Sequence, residues 1–152
     1  MKMVERSPWT ASVCAQTACS LAGCMAAPDE NARVPDFETE RTMDLVQEQL
    51  DAYNGRDLER FLACYASDTV IEDGDGVCLM EGIDALRSRY GALFAQSPEL
   101  HAEVVARMRV GDYVVDEEHV SGANLPGRPA EFKLVAIYRV RDGRIAHVRM
   151  LR

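Results

Sequence analysis

The sequence predicts an α+β domain in which helices cover one face of an antiparallel sheet. Three observations carry this: apolar residues recur at helical spacing between Met43 and Phe94, the pattern turns extended after Pro98, and Asp142-Gly143 separates the last two extended runs as a hairpin turn would. Leu45, Val46, Gln49, Leu50 and Tyr53 share one face of a first helix, which Asn54-Gly55 should end by entering the left-handed region. Asp57 then stands at an N-cap position, and Leu58, Phe61, Leu62 and Tyr65 continue at helical spacing, so a second helix completes a helical hairpin. Thr69-Val70-Ile71 is a β-branched run leading through Glu72-Asp73 into the turn-forming Gly74-Asp75-Gly76, with a short return strand over residues 77–80. Ile83, Leu86, Tyr90, Leu93 and Phe94 mark a third helix stopped near Ser97-Pro98, because the residue before a proline is pushed out of the helical region. Four longer strands follow over residues 101–110, 113–121, 131–141 and 144–151, broken by Gly111-Asp112, by a loop holding Gly122, Pro126, Gly127 and Pro129, and by Asp142-Gly143.

The chain has 152 residues, 47% hydrophobic and 28% charged, a size and mixture that form one core and bury roughly 68–70% of the unfolded surface, with room for a pocket. A net charge of −8, with no basic run interleaved with aromatics, argues against nucleic acid as a ligand. No apolar stretch approaches the roughly 20 residues that span a bilayer. Residues 1–42 are set apart as a leader or extension before a domain over 43–152. Lys2 and Arg6 precede an uncharged stretch from Ser7 to Met25, and Leu21-Ala22-Gly23-Cys24 resembles the lipobox of bacterial lipoproteins, which implies an envelope protein anchored through Cys24. Against this, the stretch holds Pro8, Gln16 and several hydroxyl side chains; the other reading is a loose extension on a cytoplasmic domain. Cys14, Cys19 and Cys24 match no zinc or redox spacing, and Cys64 and Cys78 read as small core side chains.

The element order, with residues 46–54, Asp57-Leu58, residues 61–66, residues 69–73 and the ending Tyr138 to Ile145 with Val148, resembles the nuclear transport factor 2 superfamily, and within it the bacterial SnoaL-like branch with its polyketide cyclases and the related ketosteroid isomerases. The resemblance implies a cone-shaped, curved sheet with three N-terminal helices packed on its concave face, and a pocket for a small apolar organic molecule. It also implies cofactor-independent isomerase, cyclase or hydrolase chemistry; the same superfold serves non-catalytic ligand-binding and dimerisation modules. Asp73 falls where the ketosteroid isomerases keep their proton-shuttling aspartate, and Tyr65 and Tyr90 fall at pocket-tyrosine positions, so these three form the implied catalytic set. A carboxylate at the inner end of an apolar cone loses hydration and becomes a better proton acceptor near neutral pH. The competing role for Asp73 is to organise the Gly74-Asp75-Gly76 turn. The isomerases' oxyanion tyrosine and protonated aspartic acid align with Gln49 and Ala136, so true steroid isomerisation is not expected.

The resemblance further implies ligand contacts from Gln49, Tyr53 and Phe94 on the helices, and turns inward Phe132, Leu134, Ala136 and Tyr138 on the third long strand and Val148 and Met150 on the last. In the second long strand Tyr113, Val115, Glu117 and His119 share one face and Val114, Asp116, Glu118 and Val120 the other. If the first face looks inward, Glu117 and His119 are further ligand contacts, a base and its orienting partner; if outward, they are solvated, as polar residues on a half-buried sheet usually are. Arg107 or Arg109, His147, Arg149 and Leu151 are expected on an outer sheet face suited to a homodimer. Asp73-Gly74-Asp75-Gly76 lacks the remaining ligands of a calcium loop, and no His-Glu-x-x-His, Ser-His-Asp order or phosphate-binding glycine loop occurs, so no metal or other cofactor is implied.

Overall fold

The computed structural model of the chain describes residues 37–152, with side chains from residue 40; the readings placed on Cys14, Cys19, Cys24 and the rest of the segment before residue 37 lie outside the described residues. Helix α1 is Phe37–Gly55 and so begins upstream of Met43. Its stop differs from expectation. Gly55 stays helical and Arg56 takes the left-handed conformation with φ of 54°. There the Arg56 guanidinium donates to the Leu100 carbonyl at 3.0 Å. Asn54 clamps the next stretch, donating to the Ala102 carbonyl at 2.9 Å and accepting from the Ala102 amide at 2.8 Å. These bonds tie the helix to an edge strand, whose backbone groups would otherwise lack partners.

Helix α2, Leu58–Ala63, starts where Asp57 accepts a hydrogen bond from the Arg60 amide at 3.1 Å. It ends before Tyr65, which opens strand β1, Tyr65–Asp73, instead of continuing the helix. The cause is tertiary: the Ile145 amide donates to the Cys64 carbonyl at 2.9 Å and Tyr65 pairs with Ile145, so the chain is drawn into the sheet. Then come β2, Cys78–Glu81, α3, Ile83–Gln96, β3, His101–Val110, β4, Tyr113–Ser121, β5, Phe132–Arg141, and β6, Arg144–Leu151. The six strands lie in the order β2-β1-β6-β5-β4-β3, antiparallel throughout except where β1 runs parallel to β6. Asp142 and Gly143 both have positive φ, 52° and 68°, the backbone a tight β5–β6 hairpin needs.

The helices cover one face of the curved sheet, and Val46, Phe61, Ile71, Leu86 and Ile145 are fully buried between them. Cys64 is part of this core, whereas Cys78 is exposed rather than buried. Gly122, at φ of 69°, packs so closely on the Glu99 carbonyl that a Cβ would sit 1.9 Å from its oxygen; only glycine fits where the chain leaves β4. A bulge between Val104 and Ala106 shifts the facing of β3, so that Arg107 and Arg109 stand opposite the inward Asp116 and Val114. Neither arginine therefore joins the outer sheet face expected for it.

Candidate functional site

A cavity of about 900 Å³ opens between the helices and the inner sheet face, within the size range of small-molecule sites. Its polar floor comes from β4. The pleat turns Val114, Asp116, Glu118 and Val120 inward, all nearly inaccessible to water, and leaves Glu117 exposed on the other face opposite Val135, with His119 opposite Lys133. Glu117 and His119, ligand contacts only if their face looked inward, lie outside the cavity as the outward reading has it, and Glu118 lines it.

The two inward carboxylates have different company. Asp116 is held by both arms of the Arg107 guanidinium at 2.7 Å each, and Arg107 also donates to Gln47 on α1 at 2.8 Å. Glu118 has no ion-pair partner among the described residues; its Oε1 accepts from the Tyr138 hydroxyl at 2.8 Å. Burial pushes the Glu118 carboxyl up to about 7; the Tyr138 bond and Arg107 pull it down, and Asp116 adds to the rise. Both protonation states are therefore populated near neutral pH.

Phenols surround this carboxyl. Burial raises the pKa of Tyr138 and Tyr65 well above the usual tyrosine range, raises that of Tyr53 as well, and pushes Tyr90 up to about 12, with the nearby Glu118 charge adding to each shift. They remain protonated donors at any physiological pH. The nearby Gln49 amide works against the shift at Tyr65. Tyr53, Phe61, Tyr65, Tyr90 and Phe94 form a continuous aromatic wall, with ring centroids as close as 4.5 Å between Phe61 and Tyr90.

Of the residues singled out from sequence, Gln49, Tyr53, Tyr65, Asp73, Tyr90, Phe132, Leu134, Ala136, Tyr138, Val148 and Met150 line the cavity. Phe94 does not; it belongs to the buried part of the aromatic wall, edge-on to Tyr53 and Phe61. Asp73 faces inward opposite Met150, but at the end of β1, where its Oδ1 accepts from the Asp75 amide at 3.0 Å and the Val77 amide at 2.9 Å. That is the turn-organising role. The desolvated position expected for Asp73 is occupied by Glu118, because the end of β1 passes directly into an exposed turn while the middle of β4 is covered on its inner side by the helices. Glu118 and the mouth arginines Arg89, Arg128 and Arg152 had not been singled out.

A family model described as the SnoaL-like domain matches residues 46–148, and the chain belongs to that family. No curated protein matches the chain. Among solved structures it is similar to a cystatin-fold protein from Novosphingobium aromaticivorans, with 29% identity, a TM-score of 0.67, and coverage of 73% of this chain and 97% of that one. It is also similar to a candidate polyketide cyclase from Sinorhizobium meliloti, with 26% identity, a TM-score of 0.60, and coverage of 72% and 97%. A protein with a ketosteroid isomerase-like fold from Catenulispora acidiphila, solved with trimethylamine, shares the fold at 20% identity and a TM-score of 0.57, over 70% of this chain and 83% of that one. No helix among the described residues is long and apolar enough to cross a membrane.

Proposed function

We propose that the domain is a cofactor-independent acid–base enzyme for a small, largely apolar organic molecule, with Glu118 as the proton-transfer group. The observation that carries this is a buried carboxyl poised near neutrality at the cavity floor, bonded to a phenol and with no ion-pair partner among the described residues. The ionised form takes a proton from a carbon next to a substrate carbonyl. The C–H electron pair becomes the C=C bond of an enolate as the carbonyl π pair moves onto oxygen, to which a phenol of Tyr65 or Tyr90 donates, and the neutral acid returns the proton elsewhere. Isomerisation uses that step alone, and cyclisation adds attack by the same enolate on a second carbonyl. The likeness to the candidate polyketide cyclase supports the latter.

Asp73 stands second as base. Its alignment with the isomerase aspartate supports it, and the engagement of its Oδ1 in the turn weighs against it. Incubating the protein with a panel of cyclic ketones and 1,3-dicarbonyl compounds in deuterated water, and following loss of the α-proton by NMR, tests both. Glu118→Gln is expected to slow exchange by about two to four powers of ten and Asp73→Asn to leave it intact; the reverse pattern moves the base to Asp73. No exchange above the protein-free rate with any compound favours the second reading, a non-catalytic binding module, which the absence of a donor at Ala136 supports.

The chain works as a homodimer through the outer sheet face in this reading. Met108, Val110, Tyr113 and Leu151 are exposed there beside an ion-paired group in which Glu72 holds Arg149 at 2.8 Å and His147 at 3.0 Å. Sedimentation showing only monomer at micromolar concentration counts against it. Fatty-acid labelling of the full chain and of Cys24→Ala separates an envelope-anchored protein from a cytoplasmic one.

A further inference from the structure

The mouth of the cavity is basic although the chain is acidic. Arg89 from α3, Arg128 from the β4–β5 loop and Arg152 just after β6 all line it. None of the three is ion-paired among the described residues, whereas Arg60, Arg87, Arg107, Arg141 and Arg149 are each held by a carboxylate. Other arginines also lack a carboxylate, Arg56 and Arg144 among them, but those donate to backbone carbonyls; what sets the mouth apart is that three guanidinium groups gather at one opening. Arg152 lies over the Phe132 ring at 4.7 Å, which fixes its plane against the apolar wall. Partial burial and then Arg128 disfavour its charge, with Arg89 adding to the repulsion, and only the phenols of Tyr90 and Tyr53 act the other way. Asp73 and Asp75 line the cavity from the β1–β2 turn, yet neither pairs with an arginine, and an Asp73 oxygen is occupied within the turn itself.

Three like charges gathered at one opening repel one another, and an anion placed among them reverses that repulsion. Below them the cavity is lined by Leu134, Val148, Met150 and the rings of Tyr53, Tyr65 and Tyr90, down to Glu118. We propose that the ligand is an organic acid: its carboxylate is received by Arg89, Arg128 and Arg152, its apolar body fills the cavity, and its far end reaches Glu118 and Tyr138. A single negative charge suits a mouth whose cavity floor carries a titrating carboxyl, and guanidinium groups receive a carboxylate in a bidentate, oriented way. The proposal rests on the reading of the cavity as a small-molecule site and adds to it the polarity of the ligand and its direction of entry.

Calorimetric titration of the full chain with matched acid and amide pairs tests it: 2-naphthoate and 2-naphthamide, 4-phenylbutanoate and its amide, decanoate and decanamide. For at least one skeleton the acid is expected to bind tenfold or more tightly than its amide. That preference should shrink as salt is raised. It should fall to parity in Arg89→Gln/Arg128→Gln, which leaves the Arg152–Phe132 stack in place, and persist in Glu118→Gln. Amides that bind as well as the acids overturn the assignment of an anion while the small-molecule reading of the cavity stands. Failure of both members of every pair overturns both. An acid preference unchanged in the double arginine variant overturns the mouth as its source.

Discussion

Asp116 and Glu118 are two residues apart on one face of one strand, both almost completely buried, and they do opposite things. Asp116 meets a guanidinium in bidentate geometry, reached because the β3 bulge turns Arg107 inward and Gln47 on α1 holds its other nitrogen. The pair is a structural link between sheet and helix. Among the described residues Glu118 is bonded to a phenol and to no cation, so burial outweighs the pull of the more distant Arg107 and its proton becomes exchangeable near neutral pH. Burial alone therefore does not make a carboxyl chemically available; what matters is whether a fixed cation shares the burial.

Removing the cation from Asp116 should have the largest effect. Arg107→Met leaves a buried carboxylate without its partner and should lower unfolding free energy by about 3–5 kcal/mol in urea titrations. The same change removes a charge that lowers the Glu118 pKa, so the Glu118 midpoint should move further up, as seen by carboxyl NMR. If the variant unfolds no more easily than the native chain, the structural role assigned to the pair fails.

Next in size is the pH dependence that Glu118 itself creates. Its folded pKa of about 7 lies above the 4.5 of an ordinary glutamate, so the folded state binds more protons than the unfolded state between those pH values. Its contribution is fully present below about 4.5 and is lost as pH rises toward and through 7, amounting to up to ~3 kcal/mol of falling stability across that window. Glu118→Gln should abolish this part of the slope and be the more stable protein above neutrality. Parallel stability curves for the two proteins would show that Glu118 titrates alike in both states.

Tyr138→Phe sharpens the comparison at the partner. Losing a hydrogen bond that favours the charged form should raise the Glu118 midpoint and destabilise the fold by about 1–3 kcal/mol. An unmoved midpoint would mean that burial alone sets it. The smallest effect is expected at Asp73, where Asn still accepts from the turn amides: Asp73→Asn should change stability by about 1 kcal/mol or less in the same unfolding assay.

What could be read from the chain itself is local. Apolar spacing located three helices and six strands, with β3, β4 and β6 as expected, because a helix or strand with one buried face writes its period into the sequence. The Asp57 cap and the Asp142-Gly143 turn were equally legible, since each is satisfied within a few residues. Tertiary structure decided the rest. Tyr65 suits a helix by spacing and is a strand because Ile145 pairs with it; Arg56, not Gly55, ends α1 because its guanidinium finds the Leu100 carbonyl. The facing of β4 was not decidable from its own residues, since each face mixes apolar and ionisable side chains, and only packing against the helices selects Asp116 and Glu118 for the interior. A single bulge reversed the facing of Arg107, and alternation cannot register an inserted residue. The cavity mouth was the least legible feature, because Arg89, Arg128 and Arg152 belong to three different elements and meet only once the sheet has brought them together.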